Sequence, residues 1–192
     1  LETIKFCYFG KHNQTTRDLK TGIIEPLLTF LNELTPQSLK NAETTDLQTI
    51  LDEIITEPNL ERTDEVIETY LNLGLNCLRS EYVKQQHFGA TIVSSIAVRP
   101  GTPKTCFKTW AATNDFVKFI AESTLKPDVI NASLSAFDEA LSTSNISLDS
   151  LMRIWSRGID AHISDQEAIF EMLDLAIHNS EVSVIHEFFD YL

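Results

Sequence analysis

The sequence is poor in the residues that build phosphate sites, disulfide frameworks and membrane spans. Its 192 residues include six glycines, none of them clustered, and three widely spaced cysteines, Cys7, Cys77 and Cys106. Scarce glycine argues against a phosphate-binding loop or a dinucleotide fingerprint. An odd cysteine count without a Cys-x-x-Cys pair indicates buried thiols in a reducing compartment rather than disulfides or zinc. No apolar stretch reaches the roughly 20 residues of a membrane span, and nothing resembles a signal peptide, so we expect a cytoplasmic protein.

Positive charge is also scarce. The chain has 15 Lys and Arg residues against 28 Asp and Glu residues, a formal net charge of −13. Because phosphate backbones and anionic lipids are bound by clustered cations, this balance argues against nucleic-acid and membrane partners. Residues 138–192 hold eleven carboxylates and only Arg153 and Arg157, whereas residues 79–108 hold five cations and one carboxylate. Such runs indicate solvated helix faces, with an electrostatic docking surface as the alternative.

Apolar residues recur at helical spacing along most of the chain, which predicts an all-α fold. We expect about nine or ten helices joined by short polar turns, arranged as an irregular α-solenoid of the armadillo or HEAT kind, with a compact bundle as the alternative. Residues 1–192 are interpreted as one helical-repeat segment of a longer chain, with a weak subdivision into 1–99 and 104–192 at the Pro100–Pro103 break. Two stripes of residues are predicted to be buried: Leu47, Ile50, Leu51 and Ile54, then Ile67, Tyr70, Leu71, Gly74, Cys77 and Leu78.

Capping patterns predict where several helices begin. Thr45 and Ser164 each precede a Gln or Glu by three residues, which is typical of a capping box. Ser147 is expected to cap the helix that carries Trp155, and Gly158 to end it.

Prolines and the C-terminal pattern give further boundaries. Pro26 is expected to kink or restart the first helix, and Pro127 fits the first turn of another. The last helix is expected to begin at Ser180. Its inward face is predicted to carry Val182, Ile185, Phe189 and Leu192.

The sequence predicts no catalytic, cofactor-binding or metal-binding residues. His186 and Glu187 begin a zinc-protease pattern, but Asp190 stands where the second histidine is needed. Cys77 lies on an apolar stripe, as a structural cysteine would. Cys106 is the cysteine most expected to be exposed, although no activating partner is identifiable.

Aromatic residues at helical spacing favour core packing over binding. We expect Trp110 and Trp155 to be core anchors, with a partner-binding hot spot as the alternative for Trp155. The C-terminal aromatics Phe188, Phe189 and Tyr191 are expected to contact a following repeat.

Several motifs occur together in one order. A Leu-Arg-Ser turn at residues 78–80 precedes a helix, and a segment at 114–120 follows. Next come Ile-Ser-Leu-x-x-Leu-x-x-Ile-Trp at 146–155 and Glu-Ala-Ile at 167–169; Phe-Phe-Asp at 188–190 is last. This order resembles the non-catalytic helical region of very large ubiquitin-specific proteases of the fat-facets (X-linked) type, in the ubiquitin carboxyl-terminal hydrolase family. The resemblance covers residues 74–192, and the first seventy residues match nothing in it.

The resemblance implies a parent thiol protease that removes ubiquitin from conjugates. This segment would then be an armadillo-like scaffold that binds substrate or adaptor proteins, or supports the catalytic domain. No position here matches the family's cysteine or histidine boxes, so no catalytic residue carries over, and no cofactor or small-molecule ligand is implied.

Two further hypotheses remain open. One is a helical-repeat adaptor or transport factor unrelated to ubiquitin. The other is a self-contained enzyme that uses Cys106 or a histidine.

Overall fold

The structure, a computed structural model, describes residues 16–39, 41–56 and 61–192. Within those residues the chain forms ten α-helices and one 3-10 turn and no strand, so the predicted all-α class is confirmed. The helices are α1 (Thr16–Glu33), α2 (Asn41–Thr56), α3 (Thr63–Leu78), α4 (Val83–Ala97), α5 (Thr102–Thr113), α6 (Phe116–Glu122), α7 (Pro127–Leu141), α8 (Leu148–Asp160), α9 (Ile163–His178) and α10 (Val182–Tyr191), with the 3-10 turn at Pro36–Ser38. No helix in this described part is both long and apolar enough to cross a bilayer.

Helices pack against near neighbours in chain order. Helix α3 packs against α4, α4 runs along α7, and α7 packs against α9. On the other side, α5 contacts α6, α6 contacts α8, and α8 contacts α10. Among the described residues, every extensive helix–helix contact joins elements no more than three positions apart. This local pattern fits an all-α repeat stack, while the superhelical curvature of a solenoid and the subdivision into 1–99 and 104–192 stay predictions.

The core follows the predicted apolar stripes. Both stripes, in α2 and α3, are fully buried. Near the middle of the chain, Phe107, Trp110 and Phe116 form an aromatic cluster with ring centroids 5.6–6.0 Å apart. The Trp110 indole N–H donates a 2.8 Å hydrogen bond to Asn72 Oδ1, which satisfies the polar atom of a nearly buried ring. Trp110 is therefore the core anchor that the sequence predicts.

Two glycines bring α3 and α4 into close contact. A Cβ atom built on Gly89 would lie 2.4 Å from the carbonyl oxygen of Gly74 and 2.8 Å from the backbone nitrogen of Leu78. Such separations are far below van der Waals contact, so only glycine fits at position 89 with the helices at this distance.

Several predicted boundaries are confirmed. Helix α7 begins at Pro127. Ser147 caps α8, because its hydroxyl accepts a hydrogen bond from the Ser150 backbone N–H at 3.1 Å. This bond satisfies one of the donors left unpaired at a helix N-terminus.

The predicted boundaries in the first two helices are wrong. Helix α1 continues through Pro26, so the predicted restart is wrong, while the alternative of a kink at Pro26 stays a prediction. Helix α2 begins at Asn41, so Thr45 lies inside it and does not cap it.

Two boundaries near the C-terminus are also wrong. Helix α8 runs past Gly158 to Asp160. A Cβ atom at Gly158 would lie 2.7 Å from the Phe170 ring, so this glycine makes room for α9 instead of ending α8. The cap of α9 is His162, whose Nδ1 accepts from the Ser164 backbone N–H at 3.4 Å, so Ser164 is inside the helix.

The predicted inward face of α10 is largely wrong. The helix begins at Val182, which is 69% exposed, and Phe189 and Leu192 are also exposed. Phe188 is buried instead and meets the Trp155 ring edge-on with centroids 6.3 Å apart. Helix α10 makes its extensive contacts with α8 alone within the described chain, so only the side chains facing α8 are covered.

Candidate protein-binding surface

Exposed apolar residues concentrate at the C-terminal end of the described chain. Nine large hydrophobic residues are strongly exposed in the described chain, and six of them fall between positions 159 and 192. They are Ile159, Ile163, Val182, Phe189, Tyr191 and Leu192. Single exposed apolar residues need no explanation, but a concentration of them marks a surface that another molecule covers in many proteins.

A groove lies between α8 and α10 within this region. Its volume is about 330 Å³, and we call it the C-terminal groove. The lining residues are Met152, Trp155, Ser156, Ile159, Asp160, Tyr191 and Leu192. A second depression of about 530 Å³, which also includes Leu148, Asp149 and Arg153, shares Met152, Ser156 and Tyr191 with the groove. The two depressions therefore form one continuous strip along α8.

The strip follows one face of α8. Leu148, Met152, Trp155 and Ile159 are spaced by three or four residues, as neighbours on one helix face are. At 1.5 Å per residue, this face is roughly 17 Å long. It presents the apolar spacing that helix-in-groove recognition uses.

Trp155 has a half-buried ring that belongs both to the core and to the groove. Its ring packs against Phe170, with centroids 5.9 Å apart, and against Phe188. The remaining surface of the ring lines the C-terminal groove. One side of the Trp155 ring therefore packs in the core, as predicted. For the other side, the hypothesis of a partner-binding hot spot stays a prediction.

The two arginines of the acidic segment are both held within the chain. The Arg153 Nε atom lies 2.9 Å from an Asp149 carboxylate oxygen and 3.9 Å from one of Glu122. The Arg157 guanidinium donates to the carbonyl oxygens of Ser123, at 2.8 Å, and of Leu125. Burial lowers the Arg157 pKa from its ordinary value. Residues 138–192 thus hold eleven carboxylates and two engaged cations, and the carboxylates that line the two depressions are Asp149 and Asp160.

Three of the five cations of the basic stretch also pair with carboxylates of the protein. Lys104 and Lys108 both pair with the Glu139 carboxylate, at 2.5 and 2.9 Å. Burial pushes the Glu139 pKa up, but the hydrogen bonds from these lysines outweigh it and hold that pKa below 4.5. Arg99 pairs with Asp52 at 2.5 Å. These contacts favour a structural role for the basic stretch over a docking surface.

The two described cysteines have poorly nucleophilic thiols. Cys77 is fully buried, and this burial raises the pKa of its thiol to about 12. Cys106 is half-buried beside α3, where burial, and then the carboxylates of Asp64 and Glu68, raise its pKa to about 11. A catalytic cysteine needs the opposite shift, because the thiolate is the nucleophile. Cys7 lies outside the described residues.

The structure brings together a histidine, a serine and an aspartate that the sequence patterns did not connect. His162 Nδ1 lies 3.0 Å from Ser164 Oγ, and Ser164 Oγ donates to Asp165 at 2.9 Å. In a catalytic triad the histidine stands between the serine and the acid, whereas here the serine stands in the middle. The cluster forms the N-terminal cap of α9. In the sequence, the cluster is marked only by a serine and an aspartate that closely follow a histidine.

The remaining histidines form no metal centre within the described part. His186 is exposed on α10, and His178 Nδ1 lies 2.8 Å from the Asp174 carbonyl oxygen one turn earlier. No group of three His, Cys, Asp or Glu side chains suited to a metal ion is found in residues 16–39, 41–56 and 61–192. His12 lies outside those ranges.

Comparisons with known proteins do not supply a family. No family model, curated protein or solved structure matches this chain.

Proposed function

We propose that this chain is a non-catalytic helical scaffold that binds another protein through the C-terminal groove. The observation that carries the proposal is the apolar face of α8, where the exposed Ile159 and the half-buried Met152 and Trp155 line a groove beside the exposed Tyr191. Met and the large aromatics are enriched in protein interfaces, and Trp and Tyr dominate binding hot spots.

The state of the thiols supports a non-catalytic role. Burial raises the pKa of both Cys77 and Cys106, so both remain protonated at neutral pH. A self-contained thiol enzyme based on Cys106 would require rearrangement of α3 and α5 around it.

The pathway is proposed from the sequence resemblance. We propose that the scaffold belongs to a large cysteine-type deubiquitinase whose separate catalytic domain removes ubiquitin from conjugates. The bound protein would then be a substrate or an adaptor. Met152 and Trp155 of the groove belong to the 146–155 segment that carries the resemblance. A helical-repeat adaptor or transport factor unrelated to ubiquitin is the alternative, and it uses the same groove.

A pair of tyrosine variants tests the binding surface. Tyr191, in the groove, is 73% exposed, and Tyr82, between α3 and α4, is 61% exposed. The immobilised chain is expected to capture a discrete set of proteins that Tyr191→Ser loses and Tyr82→Ser keeps. Identical capture by both variants, or none by the wild type, would contradict binding through the groove.

The pathway is tested separately. A catalytic cysteine box followed by a histidine box in the reading frame beyond residue 192 is the expected finding. A reading frame without a peptidase domain would contradict the deubiquitinase proposal and favour the helical-repeat adaptor or transport factor unrelated to ubiquitin. Purified chain 1–192 should not release the fluorophore from a ubiquitin–fluorophore substrate, and turnover at stoichiometric concentration would refute the non-catalytic assignment.

A further inference from the structure

We infer that the occupant of the C-terminal groove is a basic amphipathic helix of a partner protein. The inference rests on the proposed function and adds the chemistry of the partner. Two independent features of the groove carry it, its shape and its charge.

The shape fits an α-helix. The strip between α8 and α10 extends along α8 from Leu148 to Ile159, about three helical turns, and it is open along its length. Its apolar residues stand at i, i+4, i+7 and i+11. A partner helix with the same period would place its own apolar side chains between them, as one helix's ridges pack into the grooves of another.

The charge fits a basic partner. Asp160 lies in the lining, and the one cation of the strip, Arg153, is already shared by Asp149 and Glu122. Lys or Arg residues flanking the apolar stripe of a partner helix would meet this acidic rim, and complementary charge speeds association and excludes wrong partners.

The same charge disfavours two other occupants. A second copy of this chain also carries a net charge of −13 and would bring like charges together. An acidic partner helix would be repelled in the same way by the carboxylates that line the groove. The proposal therefore commits to a basic helix.

Peptide binding to intact chain 1–192 tests the inference. The probe is a synthetic peptide of about 15 residues without Trp, with Leu at helical spacing and Lys on the flanks. One control keeps the Leu positions and replaces every Lys with Glu. A second control keeps the composition but scrambles the order, which removes the amphipathic face and retains the charge.

Calorimetry and tryptophan fluorescence provide the readout. Trp155 lines the groove, whereas Trp110 is buried and gives a constant background. We expect the basic peptide to bind at least tenfold more tightly than either control, with an affinity that falls as salt is added. Equal binding of the acidic or the scrambled peptide would overturn the inference.

Variants locate the binding site. Tyr191→Ser should weaken the basic peptide at least tenfold, as expected of a central aromatic contact, while the matched Tyr82→Ser should leave its affinity unchanged. Asp160→Asn should weaken it about two- to fivefold, the size of one partly exposed charge contact. Wild-type affinity in Tyr191→Ser, with unchanged thermal melting, would overturn the inference.

Failure of the inference is distinguishable from failure of the proposed function. If the groove binds only the acidic peptide, or a second copy of the chain in a Tyr191-dependent way, the basic helix is refuted while groove binding stands. If no peptide binds but Tyr191-dependent protein capture persists, the basic helix is again refuted while groove binding stands. If both peptide binding and Tyr191-dependent capture are absent, both proposals fall.

Discussion

Replacing Gly89 by alanine tests the close contact between α3 and α4. Alanine is the better helix former by about 1 kcal/mol, so helix propensity alone would make this substitution stabilising. The structure predicts the opposite effect, a loss of stability in Gly89→Ala. The new methyl group would lie 2.4 Å from the Gly74 carbonyl oxygen and 2.9 Å from Cys77 Cβ. The nearest atoms are backbone, so relief requires α3 and α4 to move apart.

The magnitude follows from the cost of overpacking. Extra methyl groups forced into a packed core cost about 1–3 kcal/mol, and a clash with backbone belongs at the upper end. Subtracting the gain of about 1 kcal/mol in helix propensity leaves an expected net loss of about 2 kcal/mol. Gly74→Ala should cost less, because its Cβ would meet the side chains of Ile92 and Val93 at 3.0–3.2 Å, which can shift slightly.

Gly22→Ala is the matched control. Gly22 is an exposed residue inside α1, and a Cβ there would meet nothing within 4 Å. We expect this variant to gain about 0.5–1 kcal/mol. Urea unfolding followed by circular dichroism measures each free energy of unfolding. Stabilisation by Gly89→Ala, or equal effects of Gly22→Ala and Gly89→Ala, would refute the close packing of α3 and α4.

Three further measurements test other parts of the structure. In urea unfolding, Trp110→Ala should lose about 3–5 kcal/mol of stability because the Trp110 ring is buried. Trp155→Ala should lose about half as much because the Trp155 ring is half-buried. Equal losses in the two variants would contradict the different burial of the two rings. Arg157→Met should lose about 2 kcal/mol in the same assay, because two backbone carbonyls lose their donors, and wild-type stability would show that water replaces the guanidinium freely. At pH 8, iodoacetamide should modify Cys106 slowly and Cys77 more slowly still, because both thiol pKa values are raised; mass spectrometry showing rapid modification of native Cys106 would contradict its assigned environment.

The fold class could be predicted because the signal repeats along the chain. Stripes such as Leu47 to Ile54 and Ile67 to Leu78 bury their residues through helical spacing alone. Ser147 and Pro127 mark helix starts through local chemistry that needs no tertiary partner.

The failures depend on contacts that the local sequence does not show. Gly158 looks like a helix end, yet it is needed inside α8 because Phe170, twelve residues later, packs over it. The predicted inward face of α10 is wrong because Val182 and Phe189 fit the apolar period, whereas within the described residues α10 packs extensively against α8 alone and buries Phe188. Periodicity identifies apolar faces and does not say which of them finds a partner.

The candidate surface could not be predicted for the same reason. Trp155 and Tyr191 are 36 positions apart and line one groove only because α10 folds back on α8. The sequence did show the acidity of residues 138–192, but not that Arg153 and Arg157 are both engaged within the chain.

Site-specific photo-cross-linking in the intact protein tests most directly whether the groove binds another protein. A benzophenone amino acid would replace Tyr191 in the groove or, as the control, the similarly exposed Tyr82. Irradiation in living cells should produce a discrete covalent adduct with another protein from position 191 and none from position 82. No adduct from position 191, or the same adducts from both positions, would contradict the account of this chain as a scaffold that binds through the C-terminal groove.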